Sequence, residues 1–423
     1  MRRLEDCGNL RDLSSEALSV MQFYTIKEPL FPNLETLELS DATGQFLPFI
    51  HLFLSPRTTT INITFDEYDS SEPIIASMIT AFPTLCPSLE VICLRSLPSD
   101  PMITAAVSGM LLASNRNALK GIDVDSPLTE EAREVIYKLP NLRGLSMIIE
   151  SDTSLPPVVL PSLTILVIRY DHGSEWLRTF HGVTFENLEL VAFYSAFGPV
   201  GDFLEAFEKV ALAASAQNTL SEFSFYTSHS WRPNYRSLLP FTRLEELIID
   251  FPCERGCSST IDDDIITDMA RAMPQLKILY LGAAPCKTPI GVTAKGLATL
   301  AHHCRHLSEL CIHFQLASLE IDMTTITGVT SSSEPTIPRK YCALTGLDVG
   351  KIPVPEESTA VVALSLLHIF PHIKHIKYSD LGWREVVNII NLSKQPVADH
   401  SSKEPLLAPS RSQVDDVSPR DHT

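Results

Sequence analysis

Thirteen times along this chain, two apolar residues flank a pair of variable ones and a third apolar residue follows at one remove. The phrase is L-x-x-L-x-Φ, with Φ apolar, and Pro often leads it. It reads PNLETLEL at 32–39, PSLEVICL at 87–94, PNLRGLSM at 140–147, PSLTILVI at 161–168 and PQLKILYL at 274–281. Further copies are ENLELVAF, NTLSEFSF, TRLEELII, RHLSELCI, ALTGLDV and PHIKHIKY. Counted from the first apolar slot, they begin at Leu34, Thr58, Leu89, Leu119, Leu142, Leu163, Leu188, Leu220, Leu244, Leu276, Leu307, Leu344 and Ile373, spaced by 21 to 37 residues. The last two apolar positions lie two residues apart, the period of a strand with one buried face. Helical patterns fill the intervals at 101–114, 128–138, 201–216, 261–272 and 293–303. In IDDDIITDMARA the acids Asp262, Asp263 and Asp264 stand where a helix N-terminus exposes N–H groups and favours negative charge. Strand and helix alternating at such a period predict a parallel sheet joined by right-handed crossovers, each repeat stacking on its neighbours.

The predicted architecture is therefore an α/β leucine-rich-repeat solenoid, a curved horseshoe with strands on the concave side and helices on the convex side. Residues 1–30 form an N-terminal capping region, with a helix over 10–24 begun by Ser14 or Ser15. Residues 31–380 form the solenoid. A second capping helix over 381–391 puts Trp383, Val386, Val387 and Ile390 on one face. The Ser- and Pro-rich tail, 392–423, has no periodicity and is predicted to be disordered. A Thr/Ser/Pro-rich stretch at 322–339 accounts for the longest spacing.

Strand alternation also predicts which side chains face the open side. The first repeats present Thr36, Glu38 and Ser40, then Thr60, Asn62 and Thr64. The middle repeats present Ile148; Ile165, Val167 and Arg169; Leu190, Ala192 and Tyr194; Glu222, Ser224 and Tyr226; Glu246, Ile248 and Asp250; and Ile278 and Tyr280. Glu309, His313, Asp348 and Lys377 close the series. An apolar, tyrosine-bearing stripe between polar ends matches an interface core within a polar rim, and Tyr and Arg commonly anchor binding energy. Arg169, Tyr194, Tyr226, Ile248 and Tyr280 are thus the candidate partner-binding residues. The same residues could instead ladder against one another or lie beneath a returning loop, and a register slip of one residue would invert the assignment.

Charge and candidate chemistry narrow the function. A net charge of −18, with no Lys/Arg run beyond Arg2–Arg3, excludes a nucleic-acid binder. The opening MRRLEDCGNL lacks the apolar core of a secretion signal, and apolar runs such as 361–370 are too short to span a bilayer. Nine cysteines without such a signal read as free thiols, and the expected compartment is cytoplasm or nucleus. Cys253 and Cys257, with Cys286, His302, His303 and His306 later, lack the paired spacing of a zinc site. Cys86, Cys304 and Cys342 recur just ahead of the first Leu of a repeat and read as small core residues. The aspartates at 262–264 lack a calcium-loop spacing, and Asp171, His172 and Ser174 are adjacent, whereas a catalytic triad is assembled by the fold. Neither an enzyme nor a cofactor or metal is predicted.

The segments PLFPNLETLELSDA, FLPFIHLFLSPR, CPSLEVICLRSL, IDDDIITDMARAMPQLKILYLG, GLATLAHHCRHLSELCIHF and FPHIKHIKY, in this order, resemble basidiomycete-type fungal F-box proteins with leucine-rich repeats. The resemblance covers about 1–390. It implies a substrate-binding array of an SCF-type ubiquitin ligase, partnered through a Skp-type adaptor and a cullin. The stretch MRRLEDCGNLRDL lacks the LPxE-like opening of an F-box, so the sequence corresponds to the recognition half of such a receptor. The alternative is a stand-alone leucine-rich-repeat scaffold or competitor that binds proteins with no ligase role.

Overall fold

The computed structural model describes residues 2–5, 20, 29–42, 46–66, 71–149, 158–170, 183–195, 203–204, 207–208, 216–228, 233–251, 261–282, 291–316, 318–319, 342–350 and 352–394. The expected helix at 10–24 and the tail beyond 394 fall outside these residues apart from residue 20, as do most of 201–216, all of 322–339, and Cys253, Cys257 and Cys286.

The strands are β1 (Arg3–Glu5), β2 (Thr36–Ala42), β3 (Thr60–Phe65), β4 (Val91–Arg95), β5 (Gly121–Val124), β6 (Gly144–Ile149), β7 (Val158–Leu160), β8 (Ile165–Tyr170), β9 (Val183–Phe185), β10 (Leu190–Ser195), β11 (Glu222–Thr227), β12 (Glu246–Asp250), β13 (Ile278–Leu281), β14 (Glu309–Ile312), β15 (Gly346–Gly350) and β16 (His375–Tyr378). The helices are α1 (Glu72–Leu85), α2 (Pro101–Ala113), α3 (Glu130–Ile136), α4 (Asp263–Ala272), α5 (Ala294–His303), α6 (Thr359–Ile369) and α7 (Gly382–Ser393). Fourteen strands make one sheet in chain order, parallel throughout, from β1 to β16; β7 and β9 pair separately. Each of the thirteen phrases supplies one strand of the large sheet. The further strand, β1, docks beside β2 with Arg3 opposite Thr36, an edge strand too short for its periodicity to be read.

Alternation sorts the side chains. The first slot of every phrase is buried, from Leu34 to Ile373, and so are the two later apolar slots in all but the last copy. These residues and the inner faces of the helices form one continuous core. Thr58 occupies a slot that is Leu or Ile elsewhere; its hydroxyl donates to the Leu34 carbonyl at 3.1 Å, which satisfies it in the interior.

Spacing between phrases decides what closes the back of each unit. Intervals of 29 to 32 residues hold helices of 10 to 14 residues where described, such as α1, α4 and α6. Shorter intervals have no room for one. They use the 3-10 turns Leu47–Leu52 and Tyr235–Leu238, the two-turn α3, or the short strands β7 and β9.

Side chains at the turn into each strand stitch one unit to the one before it. Asn141 donates its amide to the Asn117 carbonyl at 2.9 Å and Asn187 to Pro161 at 2.7 Å, which gives the wording Asn-Leu a physical reason. Thr219 does the same to Leu188 at 2.7 Å, and the Cys342 thiol reaches the Leu307 carbonyl at 3.3 Å. Cys86 and Cys304 are also buried, and burial pushes both thiols up to about 12, so they are packing residues at neutral pH.

Helices are linked in the same way. Asp262 caps α4, accepting from the Ile265 N–H at 2.9 Å. Asp263 serves the next unit instead, accepting from the Thr293 backbone at 2.8 Å and its hydroxyl at 2.6 Å at the start of α5. A Cβ on Gly296 would lie 2.4 Å from an Asp263 carboxylate oxygen, so glycine permits this approach. At the far end, Trp383 of α7 is fully buried and its indole N–H donates to the Ile352 carbonyl at 2.7 Å. Val386 and Ile390 share its face, while Val387 is only half-buried.

Candidate functional site

The face of the sheet opposite the helices carries the outward residues in three rows, set by strand register. One row runs Ile165, Leu190, Glu222, Glu246, Ile278, Glu309. The middle row runs from Asp123 and Ser146 through Val167, Ala192, Ser224, Ile248 and Tyr280 to Cys311, Asp348 and Lys377. The third runs Ile148, Arg169, Tyr194, Tyr226, Asp250. All five candidate residues lie on this face, in the second and third rows.

Arg169 is engaged within the molecule. Its Nη1 lies 2.6 Å from Asp125 Oδ1 and 3.2 Å from Asp123 Oδ1, and donates to the Ser146 hydroxyl at 2.8 Å. Arg95 grips the other oxygen of Asp123 through Nε at 3.0 Å and Nη2 at 2.8 Å, and the Cys93 thiol donates to it at 3.3 Å. Burial pushes the Asp123 carboxyl up, but hydrogen bonds from Ser146, Arg95 and Cys93 and the charge of Arg169 outweigh it and hold the group below its ordinary value. Asp125 also accepts from the Ser96 N–H at 3.1 Å, and Ser96 stands at φ 55°, a left-handed conformation uncommon outside glycine. Two arginines and two aspartates thus close a neutral network over β4, β5 and β8.

Tyr194 and Tyr226 form a stacked pair, ring centroids 4.8 Å apart and planes 5° from parallel. Tyr194 is 41% exposed, so the pair reaches solvent. Burial raises the Tyr226 phenol, Ser224 opposing and Tyr194 and Asp250 reinforcing. Ile248 and Tyr280 are register neighbours in the middle row, both half-buried. Burial also pushes the Tyr280 phenol well up, with Cys311 and Asp348 adding to it. Tyr280 and the stacked pair occupy different rows.

Acidic residues surround these aromatics. Glu222 and Glu246 are direct register partners. The Glu222 carboxyl is held above its ordinary range, first by burial and then by the charges of Glu246, Glu245 and Glu189, with Lys277 opposing. Lys277 is itself ion-paired to Glu245, and Lys377 pairs with Asp348 at 3.0 Å. His313 is pushed down by burial despite Asp348, and so adds no positive charge at neutral pH. Sequence reasoning placed Glu222, Glu246 and Asp250 on this face but missed Asp123, Asp125 and Ser146 as partners of Arg169, and Arg95 as the second cation on Asp123. Asp123 and Arg95 fall at outward positions by the same alternation, the one signal that could have found them.

Among the described residues no group of three or more His, Cys, Asp or Glu side chains is arranged to hold a metal ion, and no helix is long and apolar enough to cross a membrane. No protein-family model matches the sequence, and no curated protein matches it.

Proposed function

We propose that this chain is a protein-recognition module, a leucine-rich-repeat solenoid that holds a protein partner on the open face of its parallel sheet. The observation that carries this reading is the solvent-reaching Tyr194–Tyr226 stack, with Ile248 and Tyr280 in the adjacent row and no covering element among the described residues. Large amphipathic rings on rigid strands supply contact area at little conformational cost, and such residues anchor interfaces. The mechanism is positioning: the sheet fixes the rings, and the partner supplies what docks on them.

The resemblance to fungal F-box receptors extends this to a role in a ubiquitin ligase, with the partner as substrate and a Skp-type adaptor and cullin bringing the catalytic assembly. A scaffold acting without a ligase is the second reading.

The test is a tagged pull-down of the full chain from its own cells beside Tyr226→Ala/Tyr280→Ala. The expected result is a protein captured by the wild type and reduced at least about tenfold by the double variant, the effect of losing one hot-spot contact or more. Capture unchanged by the double variant overturns the assignment of the open face. Adaptor and cullin retained by both forms support the ligase reading, and a partner captured without them supports the scaffold.

A further inference from the structure

The open face over β10–β15 has a pronounced charge imbalance. Its outward positions carry Glu222, Glu246, Asp250, Glu309 and Asp348, and no lysine or arginine. Among the described residues, Asp348 alone of these five has an ion-pair partner, Lys377. Glu222, Glu246, Asp250 and Glu309 make no ion pair among the described residues, although the neighbouring Glu245 does, as does Asp123 in the other half of the face. Like charges facing each other in register destabilise a sheet. Lys277 offsets Glu222 and Glu246 only in part, being paired to Glu245; the persistence of these acids beside exposed aromatic rings marks a surface that draws further counter-charge from elsewhere.

We propose, building on the recognition reading above, that this surface takes an extended basic segment of a partner protein laid across the strands. Spacing supports an extended chain. Glu222, Glu246 and Glu309 lie in one row on β11, β12 and β14, and strands about 4.8 Å apart put the ends of that trio about 14 Å apart. Three alternate side chains of an extended segment cover about 13 Å, since each residue advances about 3.3 Å. One cation then meets each carboxylate, with Ile278 between the second and third. In the third row the stacked tyrosines stand next to Asp250, a place for a guanidinium to lie on a ring face while paired to a carboxylate. Beside burial, repulsion from Glu246, Glu245 and Glu189 holds the Glu222 carboxyl up, and a docked cation relieves that repulsion. The same charges repel nucleic acid and anionic lipid, which leaves a basic polypeptide as the occupant.

The probe is a fluorescent peptide, acetyl-Ser-Arg-Ser-Arg-Ser-Arg-Ser-amide, with a Glu-for-Arg counterpart, titrated with the full chain by anisotropy. The expected result is binding of the basic peptide alone, weakened about tenfold by Glu222→Gln/Glu246→Gln/Glu309→Gln and by less than about twofold by Glu72→Gln/Glu131→Gln/Glu357→Gln. The second triple removes the same charge from exposed helix starts on the opposite side. The glutamine changes keep side-chain shape, and matched thermal melts verify folding. Equal weakening by both triples, or no binding, overturns the proposal. A cellular partner that is lost with Tyr226→Ala/Tyr280→Ala yet retained by the open-face glutamine triple leaves the recognition reading standing and removes the basic segment.

Discussion

The two halves of the open face solve the same electrostatic problem in opposite ways. Over β4 to β8 each charge finds a counter-charge within the chain: Arg169 and Arg95 are held by Asp123 and Asp125 at 2.6 to 3.2 Å. Over β10 to β14 the carboxylates Glu222, Glu246, Asp250 and Glu309 make no ion pair among the described residues, and the tyrosines Tyr194 and Tyr226 stack on each other at the surface. The first half uses its charge to rigidify the sheet. The second keeps its charge available, which costs stability and fits a surface kept for a partner.

The sharpest way to break the comparison is Asp123→Ala. It leaves Arg169 and Arg95 without their shared acceptor, and the partly exposed site should lose about 2 kcal/mol, below the cost at a fully buried pair. Urea denaturation measures it, and a loss no larger than that of an exposed pair would mean the network is only a surface decoration. Arg169→Lys comes next at about 1 kcal/mol, because an ammonium cannot span Asp123, Asp125 and Ser146 as the planar guanidinium does. In the other half the sign reverses. Glu222→Gln/Glu246→Gln should stabilise the chain by about 0.5 kcal/mol by removing facing like charges; a lower urea midpoint would contradict it.

Acid provides the smallest and most discriminating effect. The folded Asp123 carboxyl is depressed, so its contribution is complete above the unfolded value of about 3.9 and is lost as pH falls through the folded value. The folded Glu222 carboxyl is raised, so its contribution is present below the unfolded value of about 4.3 and is lost as pH rises through the folded one. Glu222→Gln should therefore flatten a slight rise in stability as pH falls from neutral toward about 5, while Asp123→Asn should flatten the loss below about 4. Stability curves of the two variants against the wild type check both.

Much of this face was legible because a period of two leaves no freedom once the apolar slots are known. Phe223 and Phe225 must point inward, so Glu222, Ser224 and Tyr226 must point outward, and they do. Trp383 and its helix were legible for the same reason at a longer period. What alternation cannot supply is a partner. Arg169 reaches Asp123 across an intervening strand and 46 residues of chain, and only the register of three strands together puts them in range. The stack of Tyr194 on Tyr226 is likewise a matter of register and rotamer. The strands β7 and β9 escaped notice because three residues show no periodicity, although the short intervals that contain them already excluded a long helix.

Among the described residues β1 is the outermost strand of the sheet, and that has a consequence for self-association. A parallel sheet in strict chain order ends in two edges of the same polarity, so β16 of one copy presents an edge that the leading edge of another can extend, in a contact that repeats without closing into a ring. The strand at that leading edge is three residues long, and two of them, Arg3 and Glu5, are charged. So short and polar a rail offers few ladder bonds and imposes a desolvation cost on each, which discourages these molecules from joining end to end into a fibre.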